Sequence, residues 1–263
     1  GPRCFVVQAW GSVMRLAVIG TPRSGNSLLR KTLARAHGLD ETASHDPAYL
    51  FGDLALGTVV QVHAPYTPEL HASLRKRSVI VVTPRRHPLD VLLSMLHFAQ
   101  FEPDVSCWLG GNYLDGLEGC DPSSRAFRAF ALGEGSAHLL SVSVGWSAHA
   151  DVIVEYADLV TDPTTVLADG VFGAYPQVGE KSVVLEAGSF EGFHRSGNMH
   201  GWLGQSGYWT SFIPRALAEE ISAAHPQAFV AGAYDMSGSR DLTGPQVRMA
   251  CASSFAGPPA RRS

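Results

Sequence analysis

Residues 20–27, GTPRSGNS, bring two glycines, two serines, a proline and an arginine into eight positions between an apolar run and a helix-forming one. An apolar strand that enters such a loop and leaves it as a helix builds an anion cradle. Backbone N–H groups of the loop and of the first helical turn converge on one point, where the helix dipole also favours negative charge. The spacing satisfies a nucleotide-triphosphate loop except at Asn26, where that loop requires a lysine. Asn26 supplies no point charge for a γ-phosphate, whereas Arg23, inside the loop, offers a planar fork of donors to a phosphate or sulfonate. The expected ligand contacts are therefore Pro22, Arg23, Ser24, Gly25, Asn26 and Ser27, in a nucleotide cradle that does not hydrolyse ATP. The plainer alternative is a strand-to-helix turn whose glycines only permit tight packing.

The elements that must position this loop follow from periodicity. A strand over 15–20 precedes it and a helix over 27–37 follows it. VVQVHAP at 59–65 reads as a short buried strand stopped by Pro65, and SVIVVTP at 78–84 as a parallel strand covered on both faces. A helix runs from Leu89 to about Phe101, residues 102–121 read as loop, and 122–140 read as helical. DVIVEYADL at 151–159 is a further parallel-type strand, and Asp162-Pro163 starts a helix. Residues 192–212 carry glycines and aromatics without either period, an irregular loop. Strands alternating with helices predict an α/β fold, a single domain with a doubly wound central parallel sheet and its ligand at the carboxyl ends of the strands. That domain is expected over 14–235. Residues 1–13 read as an N-terminal extension or expression remnant, and 236–263 as a Gly/Pro/Ser/Arg-rich tail, frayed or draped over the surface.

A chain of 263 residues with 45% hydrophobic content can bury a full core, and its net charge of −4 gives no global reason to expect nucleic acid or an anionic membrane as partner. Its one apolar stretch near the N-terminus is too short and polar for a bilayer span or a secretory leader, so a cytoplasmic location is expected. Cys4, Cys107, Cys120 and Cys251 form no CxxC pair and no zinc spacing, so no metal is expected. Cys107 and Cys120 are near enough in sequence to meet across GGNYLDGLEG, although free thiols suit a reducing compartment.

Five segments together resemble the sulfotransferases that use 3′-phosphoadenosine 5′-phosphosulfate (PAPS), a resemblance covering roughly residues 15–235. TPRSGNSLL is similar to that family's 5′-phosphosulfate loop YPKSGTTWL, with Arg23 at the lysine position, Asn26 and Ser27 at the two threonines and Leu28 at the tryptophan. VIVVTPRRHPLDVLLSMLHF, 79–98, resembles the 3′-phosphate motif, an arginine past a strand followed by a helical serine, here Arg86 and Ser94; Arg85 is a less certain contributor. Chemically such a pair suits a terminal phosphate, which takes a guanidinium fork and a hydroxyl donor. VHAP puts His63 at the family's catalytic histidine, and the lysine found two residues earlier in the cytosolic branch is Gln61 here. EYADL resembles YEDL, which places Tyr156 against the adenine. RSGNMHGW has the spacing of RKGxxGDW, so that Arg195, Ser196 and Gly197 would close over the 3′-phosphate, with Trp202 matching the final tryptophan.

The resemblance implies transfer of the PAPS sulfuryl group to a hydroxyl of a small-molecule acceptor, leaving adenosine 3′,5′-bisphosphate, with His63 as general base and Arg23 opposing charge on the leaving oxygen. The segments 38–58, 100–121 and 192–212 would contact the acceptor. Phe101, Trp108, Tyr113, Trp202, Tyr208 and Trp209 within them favour an apolar or aromatic molecule over a polyanionic glycan. A homodimer stays open. Two other classes compete: a P-loop kinase or nucleotide hydrolase, disfavoured by Asn26, and a non-catalytic adenosine 3′,5′-bisphosphate binding module, which has no use for His63.

Overall fold

The computed structural model describes residues 14–100, 108–168 and 203–255. They form an α/β fold that falls into two compact units, one from the chain up to Arg86 and Ser141–Gln205, the other from His87–Leu140 and the chain from Ser206 onward.

The first unit holds a five-stranded, wholly parallel sheet in the order β2-β3-β1-β4-β5: β1 (Arg15–Ile19), β2 (Asp40–Ser44), β3 (Thr58–Val62), β4 (Ile80–Arg85) and β5 (Val152–Glu155). From β1 the chain moves outward to β2 and returns through β3. It then crosses to β4 and β5 on the other side. Right-handed crossovers taken in opposite directions put α1 (Asn26–His37) and α2 (Pro68–Lys76) on opposite faces, the doubly wound arrangement expected. One face is a continuous core in which Leu16, Val18, Val59, Val82 and Val154 meet Leu29 and Leu33 of α1, together with Leu159 and Leu167 of two short helices, α6 (Tyr156–Thr161) and α7 (Pro163–Ala168). Ala17, Ile19, Val60, Val62 and Val81, of the opposite parity, are equally buried, so β1, β3 and β4 are covered on both faces.

Two departures from the expected elements have local causes. β2, DETAS, carries no apolar alternation and is mostly exposed; only its backbone pairing to β3, Asp40↔Thr58 through Ser44↔Val62, makes it a strand. The strand expected over 151–159 stops at Glu155. β4 ends at Arg85, the register partner of Glu155, so beyond that point the backbone has no ladder to join and turns into α6.

The second unit is helical: α3 (Pro88–Ala99), α4 (Arg125–Leu132), the first half of α5 (Glu134–Ser147), α8 (Arg215–Ala224), α9 (Pro226–Ala231) and α10 (Gly244–Ser254). The helical region expected over 122–140 is thus two helices broken at Gly133. The tail expected to fray contains α10. Its start is fixed by a reciprocal capping box between Thr243 and Gln246, and Val247 and Cys251 are buried. Here the Gly/Pro/Ser composition marked a helix boundary rather than disorder. Trp108, Tyr208 and Trp209, expected to face an acceptor, are buried in this unit: Trp108 stacks on Phe98, Trp209 stacks on His87, and the Tyr208 hydroxyl donates to the Asp90 carbonyl at 2.9 Å.

Candidate active site

Strand register gathers the first unit's chemistry at the carboxyl ends of the strands. Ile19 pairs with Val62, so Gly20 and His63 leave the sheet side by side; Arg85 pairs with Glu155, so Arg86 and Tyr156 do the same.

The 20–27 loop is braced from within. The Thr21 carbonyl accepts from Ser24 N–H (3.2 Å), the Ser24 hydroxyl (2.7 Å) and the Asn26 amide (2.7 Å). Asn26 therefore points back into the loop, and its Oδ1 is buried without a hydrogen-bond partner among the described residues. A Cβ on Gly20 would stand 2.8 Å from that oxygen and 2.9 Å from Pro84, so only glycine lets the chain pass there. Arg23 (φ 69°) and Gly25 (φ 103°) adopt left-handed conformations that wind the loop into α1. An outer brace comes from Ser143 on α5. Thr21 N–H donates to its hydroxyl at 2.8 Å, Ser143 N–H donates to Thr21 Oγ1 at 3.1 Å, and the Ser143 hydroxyl donates to the Pro84 carbonyl at 2.9 Å. Helix α1 has no side-chain cap and no acidic residue in its first turn. Among the described residues, no side chain caps its leading N–H groups, the end toward which the helix dipole favours an anion.

His63 is buried at the rim of this loop, with Nδ1 2.8 Å from the Gly20 carbonyl. A carbonyl only accepts, so Nδ1 carries the proton and Nε2 the lone pair. Burial lowers the imidazole pKa to about 4; the Gly20 bond opposes the shift, and the charges of His45 and Arg23 add to it. At neutral pH His63 is an uncharged base with a fixed tautomer. The Trp146 indole, donating to the Ala64 carbonyl at 2.8 Å, holds the segment that follows.

Arg86 spans two backbone segments: Nη1 donates to the Arg23 carbonyl at 3.1 Å and Nη2 to the Gln205 carbonyl at 3.2 Å. Its guanidinium carbon lies 3.9 Å from the centroid of the Tyr156 ring. That ring also packs on Gly25, where a Cβ would meet it at 2.7 Å. Arg85 ion-pairs with its register partner Glu155. Ser27 donates to Gln61 Oε1 at 3.0 Å, joining the first turn of α1 to β3.

Of the site residues read from sequence, Pro22, Arg23, Ser24, Gly25, Asn26, Ser27, His63, Arg86 and Tyr156 come together in the first unit. Ser94 is buried on α3 of the second unit. Arg195, Ser196, Gly197 and Trp202 lie outside the described residues, as do Cys107, Phe101 and Glu102. Cys120 and Cys251 are free thiols. Ser143 escaped sequence reading because nothing in a helical LSVSVGW marks a serine that will bond a loop over a hundred residues away. The Ser27–Gln61 link had a faint signal, since Gln61 shares the parity of His63 on β3. Among the described residues, no cluster of His, Cys, Asp and Glu is arranged to hold a metal, and no helix is long and apolar enough to cross a membrane.

The fold is shared with a crystal structure of mouse sulfotransferase SULT7A1 complexed with PAP, at 15% identity and a TM-score of 0.57, over 84% of this chain and 88% of that one. No protein-family model and no curated protein sequence matches the chain. The likeness is therefore one of fold: a sulfotransferase-type α/β architecture.

Proposed function

We propose that this protein is a PAPS-dependent sulfotransferase acting on a hydroxyl of a small-molecule acceptor. The observation that carries the reading is His63: a buried, neutral imidazole whose tautomer is fixed by the Gly20 carbonyl, at the edge of an uncapped anion loop. A simple anion-binding turn has no need of such a base.

The donor set suits the two anionic ends of PAPS. The N–H groups at the start of α1 and Arg23 would hold the 5′-phosphosulfate, and Arg86 the 3′-phosphate. When bound, PAPS supplies the sulfuryl group. His63 Nε2 takes the acceptor's hydroxyl proton as the new S–O bond forms, Nδ1–H stays on the Gly20 carbonyl, and Arg23 donates to the leaving phosphate oxygen. No protein group is consumed.

An inward-facing Asn26 in place of a lysine disfavours a kinase or hydrolase reading. Calorimetry with adenosine 3′,5′-bisphosphate and with ATP plus magnesium separates the two. The bisphosphate is expected to bind at least tenfold more tightly, and preference for magnesium-ATP overturns the proposal. Turnover of radiolabelled PAPS over phenols, sterols and sugars then distinguishes an enzyme from a binding module.

A further inference from the structure

Arg86 does more in this structure than wait at a strand end. Arg23, at φ 69°, holds a conformation that non-glycine residues seldom adopt, and its carbonyl is the one Arg86 engages. The guanidinium that makes this bond lies over the Tyr156 ring, and the same ring closes against Gly25, the other left-handed residue of the loop. The two left-handed positions of the loop are thus touched by one stacked pair, Arg86 on Tyr156. That pair is seated by strand geometry: the register Arg85↔Glu155 brings both residues off neighbouring strands together, and the Arg85–Glu155 ion pair ties the strands just before them.

We propose that Arg86 and Tyr156 form a strut that holds the 20–27 loop in its anion-binding shape, so that recognition at the Arg86 end of the site is coupled to the geometry of Arg23. Tyr156 is a positioning residue in this scheme, acting through Arg86 and Gly25. The inference rests on the sulfotransferase reading only in calling the Arg86 end a 3′-phosphate subsite; the strut itself is independent of the reaction. Because Arg86 already holds the Arg23 carbonyl, an anion at the loop meets a shape set by a residue outside it, and loss of either strut residue lowers affinity there.

The test uses inorganic pyrophosphate, a ligand small enough to occupy the loop without reaching a 3′-subsite, beside adenosine 3′,5′-bisphosphate and adenosine 5′-monophosphate. Titration calorimetry on the full chain is run for wild type, Arg86→Ala, Arg86→Lys, Tyr156→Leu and Tyr156→Phe, with near-ultraviolet circular dichroism to establish folding. Arg86→Ala and Tyr156→Leu are expected to weaken pyrophosphate about tenfold. Arg86→Lys keeps the charge but not the planar fork and should weaken it several-fold, whereas Tyr156→Phe keeps the ring and should stay within twofold. Unchanged pyrophosphate affinity in Arg86→Ala or Tyr156→Leu overturns the strut, as does wild-type protein that fails to bind pyrophosphate. If wild type does not distinguish the bisphosphate from the monophosphate, the 3′-phosphate assignment falls while the pyrophosphate series still decides the strut. Should Tyr156→Leu not fold, the Arg86→Lys and Tyr156→Phe pair carries the same decision.

Discussion

Two turns in this molecule begin on a left-handed glycine and run into a helical segment, and they treat their backbone donors in opposite ways. At Gly207 (φ 81°) the chain supplies its own anion: the buried Asp90 carboxylate accepts from Gly207 N–H at 2.7 Å and from Trp209 N–H at 3.0 Å. At Gly25, among the described residues, α1 has no side-chain cap and no acidic residue in its first turn, and the braces on the loop gather at Thr21, on its carbonyl, hydroxyl and N–H. The first turn is structural because its donors are spent. The second is a candidate binding site because the chain fixes its shape and leaves its first-turn donors uncapped.

Removing the built-in anion gives the largest expected effect. Asp90→Ala leaves the buried Trp209 N–H unsatisfied and removes the partner of the part-buried Gly207 N–H, and should cost about 2 to 4 kcal/mol of stability, read as a lowered urea midpoint. A loss under 1 kcal/mol would mean that water replaces the carboxylate and that the contrast between the turns is weaker than drawn. His63→Ala at the open turn should act on chemistry instead. Turnover is expected to fall by about 10² or more while adenosine 3′,5′-bisphosphate affinity stays within a few-fold. The loss should shrink for nitrophenol acceptors, which ionise without help. An unchanged rate with an alkyl alcohol removes His63 from the mechanism. The search would then move to Glu41, His45 and Glu102, the carboxylates and imidazole of the segments expected to flank the acceptor.

A third prediction concerns pH. The folded His63 pKa, about 4, lies below its value in the unfolded chain, near 6.5, so its contribution to stability is complete above pH 6.5 and is lost as pH falls toward 4. The loss amounts to about 3 kcal/mol, and the difference in unfolding free energy between wild type and His63→Asn should narrow by that order from pH 7 to pH 4. A difference independent of pH would show that the imidazole is not held neutral. The smallest effect is at a thiol. Burial, with the Asp121 charge, raises the Cys251 pKa to about 12, so iodoacetamide at pH 8 should label Cys120 well before Cys251. Equal labelling would mean that α10 opens readily.

Much of the site was legible because its chemistry is local in sequence. GTPRSGNS marks a tight strand-to-helix loop through its glycines, and the apolar runs at 15–20 and 78–84 mark buried parallel strands. Where reading failed, the deciding partner lay elsewhere in the chain. β2 carries no pattern of its own and exists because β3 offers a ladder. Tyr156 reads as strand until β4 ends and leaves it unpaired. Trp108, Tyr208 and Trp209 look like surface aromatics in loop sequence, yet they fill the helical unit's interior.

By itself, then, the amino-acid sequence determined the α/β class, the cradle and the residue types offered to an anion, since backbone propensity and hydrophobic period act over a few residues. The tertiary structure decided which of those groups are usable. It fixed the His63 tautomer on Gly20 and placed Arg86 between Tyr156 and the Arg23 carbonyl. Each of these depends on hydrogen bonds and packing between residues distant in sequence or on neighbouring strands, geometry that arises only when the sheet's register is set.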